Sequence, residues 1–171
     1  RTRGFFPAPG WPGGDATALA LDGQGRLWAA ASPAAEGGRT RVLTLTDSGW
    51  REWTLPGLAG ERLTALAGDG AGRVWARSST QLFVLDPGTD AFRQARPPAG
   101  VESQLGRLAV DRDGRILVPT ETGLLVLHEE GWRLVGRDQG LPTGWAQVAL
   151  VDREGSLWIG STGLHRQLGG G

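Results

Sequence analysis

Apolar and polar positions alternate in short bursts along most of this 171-residue chain, and glycine or proline interrupts each burst before a helical period can build. A period of two predicts strands, and the interruptions predict tight turns between them. One phrase returns four times: an apolar run, an Asp, two residues, a Gly, a basic or small residue, then an apolar pair usually ending in Trp. The copies are LALDGQGRLW (19–28), LAGDGAGRVW (66–75), LAVDRDGRIL (108–117) and ALVDREGSLW (149–158). Their aspartates, at 22, 69, 111 and 152, stand 47, 42 and 41 residues apart. Units of about 40–50 residues built from short strands predict one four-stranded antiparallel sheet per repeat, arrayed as the blades of a β-propeller.

The third unit shows all the pieces. Residues 104–110 alternate as a first strand and end at Asp111; Arg112, Asp113 and Gly114 make a tight turn, the Asp accepting backbone N–H bonds and the Gly supplying positive φ. Residues 115–119 form the second strand, 124–127 the third and 131–134 the fourth, and Gly140-Leu141-Pro142 leads to the next unit. By the same reading, 42–45 and 82–85 are third strands, and 50–53 and 92–94 are fourth strands. The whole chain is then a single propeller region, with 1–14 as the last strand of a preceding or shared blade, 15–55 as blade 1, 62–96 as blade 2, 104–136 as blade 3 and 145–168 as an incomplete blade 4. Gly4, Phe5 and Phe6 resemble a fourth strand that could complete the trailing unit of a closed ring. The expectation is four repeats belonging to a larger propeller of the seven-bladed type, the chain being a piece of something longer.

Trp28, Trp75 and Trp158 recur at one position of the unit and are read as rings packed between adjacent blades; Leu117 stands at the fourth equivalent position, as a core slot permits. Composition narrows the function classes. Eighteen basic and eighteen acidic residues cancel, so no overall field favours nucleic acid or an anionic membrane. The chain has no cysteine, which excludes disulfides, thiolate nucleophiles and Cys-based zinc sites. No run approaches the ~18 consecutive apolar residues of a membrane span, so no direct membrane insertion is expected.

With these residues in view, the repeats resemble the two-component regulator propeller family, tandem blades from the sensor regions of hybrid histidine kinases and related receptors. The fullest match is residues 140–164: Gly140, Leu141 and Pro142 fit the family's linker, Asp152 and Gly155 its turn, Trp158, Ile159 and Gly160 its second strand, Gly163 and Leu164 its third. The first unit departs from the pattern with Ala29-Ala30-Ala31 and an inserted loop at 32–38, the second with Ala76-Arg77-Ser78, and the third lacks Trp and has Val118-Pro119-Thr120. The resemblance implies a non-catalytic sensory or ligand-recognition module, periplasmic or extracellular as part of a membrane-bound sensor, whose output domain lies elsewhere in the parent chain.

Propellers bind partners where the loops entering each innermost strand converge. Seven residues ahead of each turn Asp stand Asp15, Arg62, Gln104 and Trp145. Acid, base, amide and aromatic side chains at one structural position do not answer a shared packing need, so these four are the candidate ligand-binding residues, for a small molecule, a glycan or a protein at the channel mouth. The turn aspartates Asp22, Asp69, Asp111 and Asp152 are read as turn caps. A calcium site needs several oxygens clustered in one loop, and Arg112 between Asp111 and Asp113 opposes a cation; no metal and no cofactor are expected. His128 and His165 are the only near-neutral bases and belong to third strands, and no Ser/His/Asp set is visible. A propeller lyase acting on cyclic peptide antibiotics has similar repeats and is the enzyme alternative; a protein-interaction scaffold is the third class. Open blade edges are expected to promote self-association.

Overall fold

The computed structural model describes residues 3–168 as fifteen strands and a single 3-10 turn at Arg137–Gln139. Blade 1 comprises β1 (Ala16–Leu21), β2 (Leu27–Ala31), β3 (Arg41–Thr46) and β4 (Gly49–Trp53). Blade 2 comprises β5 (Ala65–Gly68), β6 (Val74–Arg77), β7 (Leu82–Leu85) and β8 (Arg93–Ala95). Blade 3 comprises β9 (Ala109–Val110), β10 (Ile116–Thr120), β11 (Gly123–His128) and β12 (Gly131–Val135), and blade 4 comprises β13 (Val148–Val151), β14 (Leu157–Gly160) and β15 (Leu164–Gln167). Each sheet is an antiparallel meander in chain order, four-stranded in blades 1 to 3 and three-stranded in blade 4 among the described residues. The first strands β1, β5, β9 and β13 lie side by side in series along the inner wall.

Each meander turns on its repeated Asp. In blade 2 the Asp69 Oδ1 accepts the Ala71 and Arg73 backbone N–H groups at 3.0 and 2.9 Å, while Oδ2 accepts Arg73 Nε at 2.6 Å and Trp75 Nε1 at 2.9 Å. Blade 1 repeats the set around Asp22, with Trp28 Nε1 on Oδ2 at 2.8 Å. The carboxylate therefore ties the turn to the Trp two strand-residues beyond it, an indole bond that the spacing of the sequence phrase now explains. Gly114 closes the blade 3 turn at φ +78°, and a Cβ there would lie 2.5 Å from Gly70 Cα, because the turns of blades 2 and 3 touch through Gly70 N–H to Gly114 O at 2.8 Å.

Three apolar clusters fill the spaces between successive blades. Trp28, Val42 and Trp53 meet Leu66, Val74, Phe83 and Phe92 between blades 1 and 2. Trp75 and Val84 meet Ile116, Val118 and Trp132 between blades 2 and 3, and Leu117 and Val126 meet Ile159, Val151 and Leu157 between blades 3 and 4. A blade thus shows its Trp face to the next blade and its opposite face to the previous one. Aromatics at or just before the fourth strand cross the first two boundaries: Phe92, directly ahead of β8, meets Trp28 edge-on at 6.4 Å, and Trp132 of β12 meets Trp75 edge-on at 5.7 Å.

Four details correct the sequence reading. The first strand of blade 3 is only Ala109–Val110 instead of 104–110, because the preceding backbone is taken by blade 2. Thr64 Oγ1 donates to Gly106 O and the Arg77 guanidinium to Arg107 O. Gly4, Phe5 and Phe6 form no strand; no sheet edge of the chain lies beside them, and both rings are exposed. Trp158 is half-buried, not enclosed between blades as Trp28 and Trp75 are, since its face of blade 4 has no further blade on it. The residues around Pro9 to Gly14 run instead over the outer part of blade 1, where Trp11 meets Trp50 edge-on at 5.1 Å and Arg41 donates to Gly13 O.

Candidate functional site

The loops that enter the first strands stand at one end of the blades, opposite the Asp turns. Asp15 is exposed just ahead of β1, its backbone amide donating to Ser32 Oγ and its carbonyl accepting the Ser32 N–H. Arg62 is exposed beside the fully buried Leu63. Gln104 and Trp145 converge: together with Ser103, Glu121, Ala146 and Gln147 they line a cavity of about 190 Å³ between blades 3 and 4. Asp15 and Arg62 do not line it.

The walls of this cavity are held by backbone bonds. Glu121, at the end of β10, donates its N–H to Glu102 O at 2.9 Å, and the buried Ser103 donates its N–H to Ser79 O and accepts Gly106 N–H on Oγ. On the other side, Ala146 N–H donates to Thr120 O at 2.9 Å and Gln147 N–H to Gly160 O at 2.8 Å, while the Trp145 carbonyl accepts Thr143 Oγ1. The backbone that carries Trp145 is thereby tied to both blades. Beneath lies Arg77, wholly buried, donating to Val101 O and Arg107 O at 2.6 Å each. Burial pushes its guanidinium down to about 10, against an opposing pull from Glu102. This clamp fixes the linker that carries Ser103 and Gln104.

One carboxylate, two amides, a hydroxyl and an indole can hydrogen-bond polar groups and give an apolar ring face to stack on. The set holds no histidine. His128 and His165 lie on β11 and β15 and do not line this cavity. Counting one residue per repeat finds Gln104 and Trp145 but misses Ser103, Glu121 and Gln147; the sequence signal for Glu121 is its place directly after a second strand that starts at the opposite end. Among the described residues no cluster of His, Asp or Glu is arranged to hold a metal, and no helix is long and apolar enough to cross a membrane.

Sheets meandering outward from a shared inner wall, with Trp faces stacked blade on blade and a cavity at the mouth, define a β-propeller, here an arc of four blades. No family model and no curated protein matches the sequence, but solved structures match the fold. The extracellular domain of BT4673 from B. thetaiotaomicron, named as a hybrid two-component system, aligns with a TM-score of 0.65 at 19% identity over 92% of this chain and 22% of that one. Virginiamycin B lyase from Staphylococcus aureus, solved with quinupristin, aligns with a TM-score of 0.62 at 14% identity over 84% of this chain and 48% of that one. YCF48 bound to D1 peptide aligns with a TM-score of 0.62 at 17% identity over 92% of this chain and 51% of that one. The chain thus spans from about a fifth to about half of these neighbours, and at such identities the shared property is the fold.

Proposed function

We propose that the chain is a non-catalytic recognition propeller, belonging to the extracytoplasmic sensor region of a two-component signalling protein. The observation that supports this reading is the mouth cavity, where Gln104 and Trp145 line the walls with Glu121 and Gln147 and no histidine lies among them. The extracellular domains of two-component systems among the structural neighbours support the setting. The ligand is a small molecule, a glycan or a protein segment, seated against the indole and hydrogen-bonded by the amides and Glu121. Binding there bears on both blade 3 and blade 4, so a ligand with different affinity for two packings of these blades shifts their balance, which is how a signal would leave the site.

The test has two arms. In a thermal-shift screen of oligosaccharides and peptides, compounds that raise the melting temperature of the wild type should lose the effect on a Gln104→Ala/Trp145→Ala variant, whose own melting temperature stays within a few degrees. Retained shifts in the variant would move recognition away from the mouth. Incubated with quinupristin, the ligand of the lyase neighbour, the chain should leave the antibiotic's mass and chromatographic position unchanged. Time-dependent conversion would replace the sensory reading with the lyase one.

A further inference from the structure

Four indole rings of this chain carry an Arg guanidinium over their face: Arg26 over Trp28 at 6.0 Å, Arg51 over Trp53 at 3.9 Å, Arg73 over Trp75 at 5.5 Å and Arg166 over Trp158 at 5.0 Å. Each of these guanidinium groups also holds a carboxylate: Asp22 at 2.7 Å, Asp90 at 3.4 Å, Asp69 at 2.6 Å and Glu154 at 3.1 Å, in the same order. The ring face attracts the cation through its quadrupole, while the carboxylate balances the charge and accepts its N–H groups. Carboxylate, guanidinium and indole thus recur as one unit in blades 1, 2 and 4.

The mouth cavity between blades 3 and 4 presents two members of that unit. Trp145 is half-buried there, and Glu121 brings the one charge among the described lining residues. The repeated turn aspartates Asp22, Asp69, Asp111 and Asp152 are each held by an Arg, whereas no Arg of the described residues pairs with Glu121. The neighbouring cations are committed or turned elsewhere. Arg77 gives its two terminal nitrogens to Val101 O and Arg107 O, Arg137 donates to Thr143 O, and neither they nor Arg62 and Arg107 line the cavity.

The rest of the lining suits a planar cation. A guanidinium has five N–H donors and no acceptor. Glu121 can accept two of them side by side, and the side-chain oxygens of Gln104 and Gln147 are acceptors for others. An ammonium has three donors and no plane to lay on a ring. The buried Ala146 and the indole offer apolar contact to an alkyl stem. At about 190 Å³ the space is close to that of a cavity that takes a single six-membered ring, about 150 Å³, so it admits one head group and its stem.

Taking the mouth as the recognition site proposed above, on which this inference rests, we infer that its ligand presents an alkylguanidinium, laid on the Trp145 face and paired with Glu121. A peptide arginine and a small free guanidine share that head group. The ligand then supplies the cation that the chain's own arginines supply at Trp28, Trp75 and Trp158.

Isothermal titration calorimetry on the full chain tests this with N-acetyl-arginine methylamide, agmatine, N-acetyl-lysine methylamide and N-acetyl-citrulline methylamide. Citrulline keeps the shape of arginine with a neutral urea head. The arginine probe should bind, the lysine probe several-fold more weakly, and the citrulline probe about tenfold more weakly or worse. Glu121→Gln, a near-isosteric change at an exposed position, should weaken the arginine probe about tenfold and leave the melting temperature unchanged. Raising NaCl from about 50 to about 500 mM should weaken binding to the wild type and leave the residual binding of Glu121→Gln nearly level. Agmatine as tight as the arginine probe identifies a reader of free guanidines, and agmatine about tenfold weaker identifies a reader of peptide arginine; both uphold the inference. Citrulline as tight as arginine, an unaffected Glu121→Gln variant, or no heat from either guanidinium probe at about 10 mM would overturn it. In that event, compounds from the thermal-shift screen that lose their effect on the Gln104→Ala/Trp145→Ala variant would still keep recognition at the mouth, so the two failures are told apart.

Discussion

A single buried ring decides much at each blade boundary. Trp75 is 2% exposed and contributes both an apolar face to Trp132 and an N–H to Asp69. Trp75→Ala should therefore destabilise the fold by about 3–5 kcal/mol, read from urea unfolding. The equivalent Trp158→Ala change, at a half-buried ring with Arg166 lying 5.0 Å over it, should cost about half as much or less if the chain is monomeric in the assay. Arg77 is the other residue with a large individual effect. Replacing it with Met leaves Val101 O and Arg107 O buried without their charged donor, and a loss of about 3 kcal/mol is expected. The same variant should loosen the loop bearing Gln104, seen as faster amide exchange at residues 101–107.

At the scale of the element, the Asp turn is the repeated device, and its chemistry sets a pH dependence. Burial pushes the Asp22 carboxyl up, but bonds from the Trp28 indole, from Arg26 and from the Gln24 amide outweigh it and hold the group below its ordinary 3.8. Asp152 is likewise held down, chiefly by the Trp158 indole. A carboxyl whose folded value is depressed stabilises the fold above its unfolded value and ceases to do so as pH falls through the folded one. The urea midpoint should thus stay level from pH 7 to 5 and drop below about pH 4, and Asp22→Asn should lower the pH 7 midpoint while flattening the acid limb. Blade 3 offers the converse experiment. Asp111 accepts Arg115 but no indole, because Leu117 stands in the Trp position beside a cleft; Leu117→Trp should raise stability by about 1 kcal/mol where the new ring fills that space.

Much of this was legible in the chain before any coordinates. The strand at Leu82–Leu85 was readable residue for residue because all four side chains are apolar and bounded by Gln81 and Asp86. The shortened β9 was not, since Arg77 and Thr64, far away in sequence, hold the backbone that pattern alone assigns to a strand. The indole-to-carboxylate bonds were hidden for a different reason: in the three phrases that hold a Trp, the spacing predicts a turn cap at the Asp and a core ring at the Trp, and only geometry joins them. At the mouth, Gln104 and Trp145 followed from counting back along the repeat. Glu121 joins them only because the chain meanders back to the same end.

For the whole molecule, the account rests on blades that shelter one another in sequence order, each Trp face on the next blade's opposite face. The arc then sets everything else: a cavity where two entering loops converge, and the uncovered outer faces of blades 1 and 4. The same logic excludes independent folding of a single blade, whose apolar faces would both meet water. The measurement that reaches this claim most directly is a double-mutant cycle across one boundary, using Trp75→Phe and Trp132→Ala, whose rings belong to blades 2 and 3 and meet at 5.7 Å and 79°. The account predicts a favourable coupling of about 0.5–1.5 kcal/mol; strictly additive losses would contradict it, because rings on unstacked sheets have nothing to exchange.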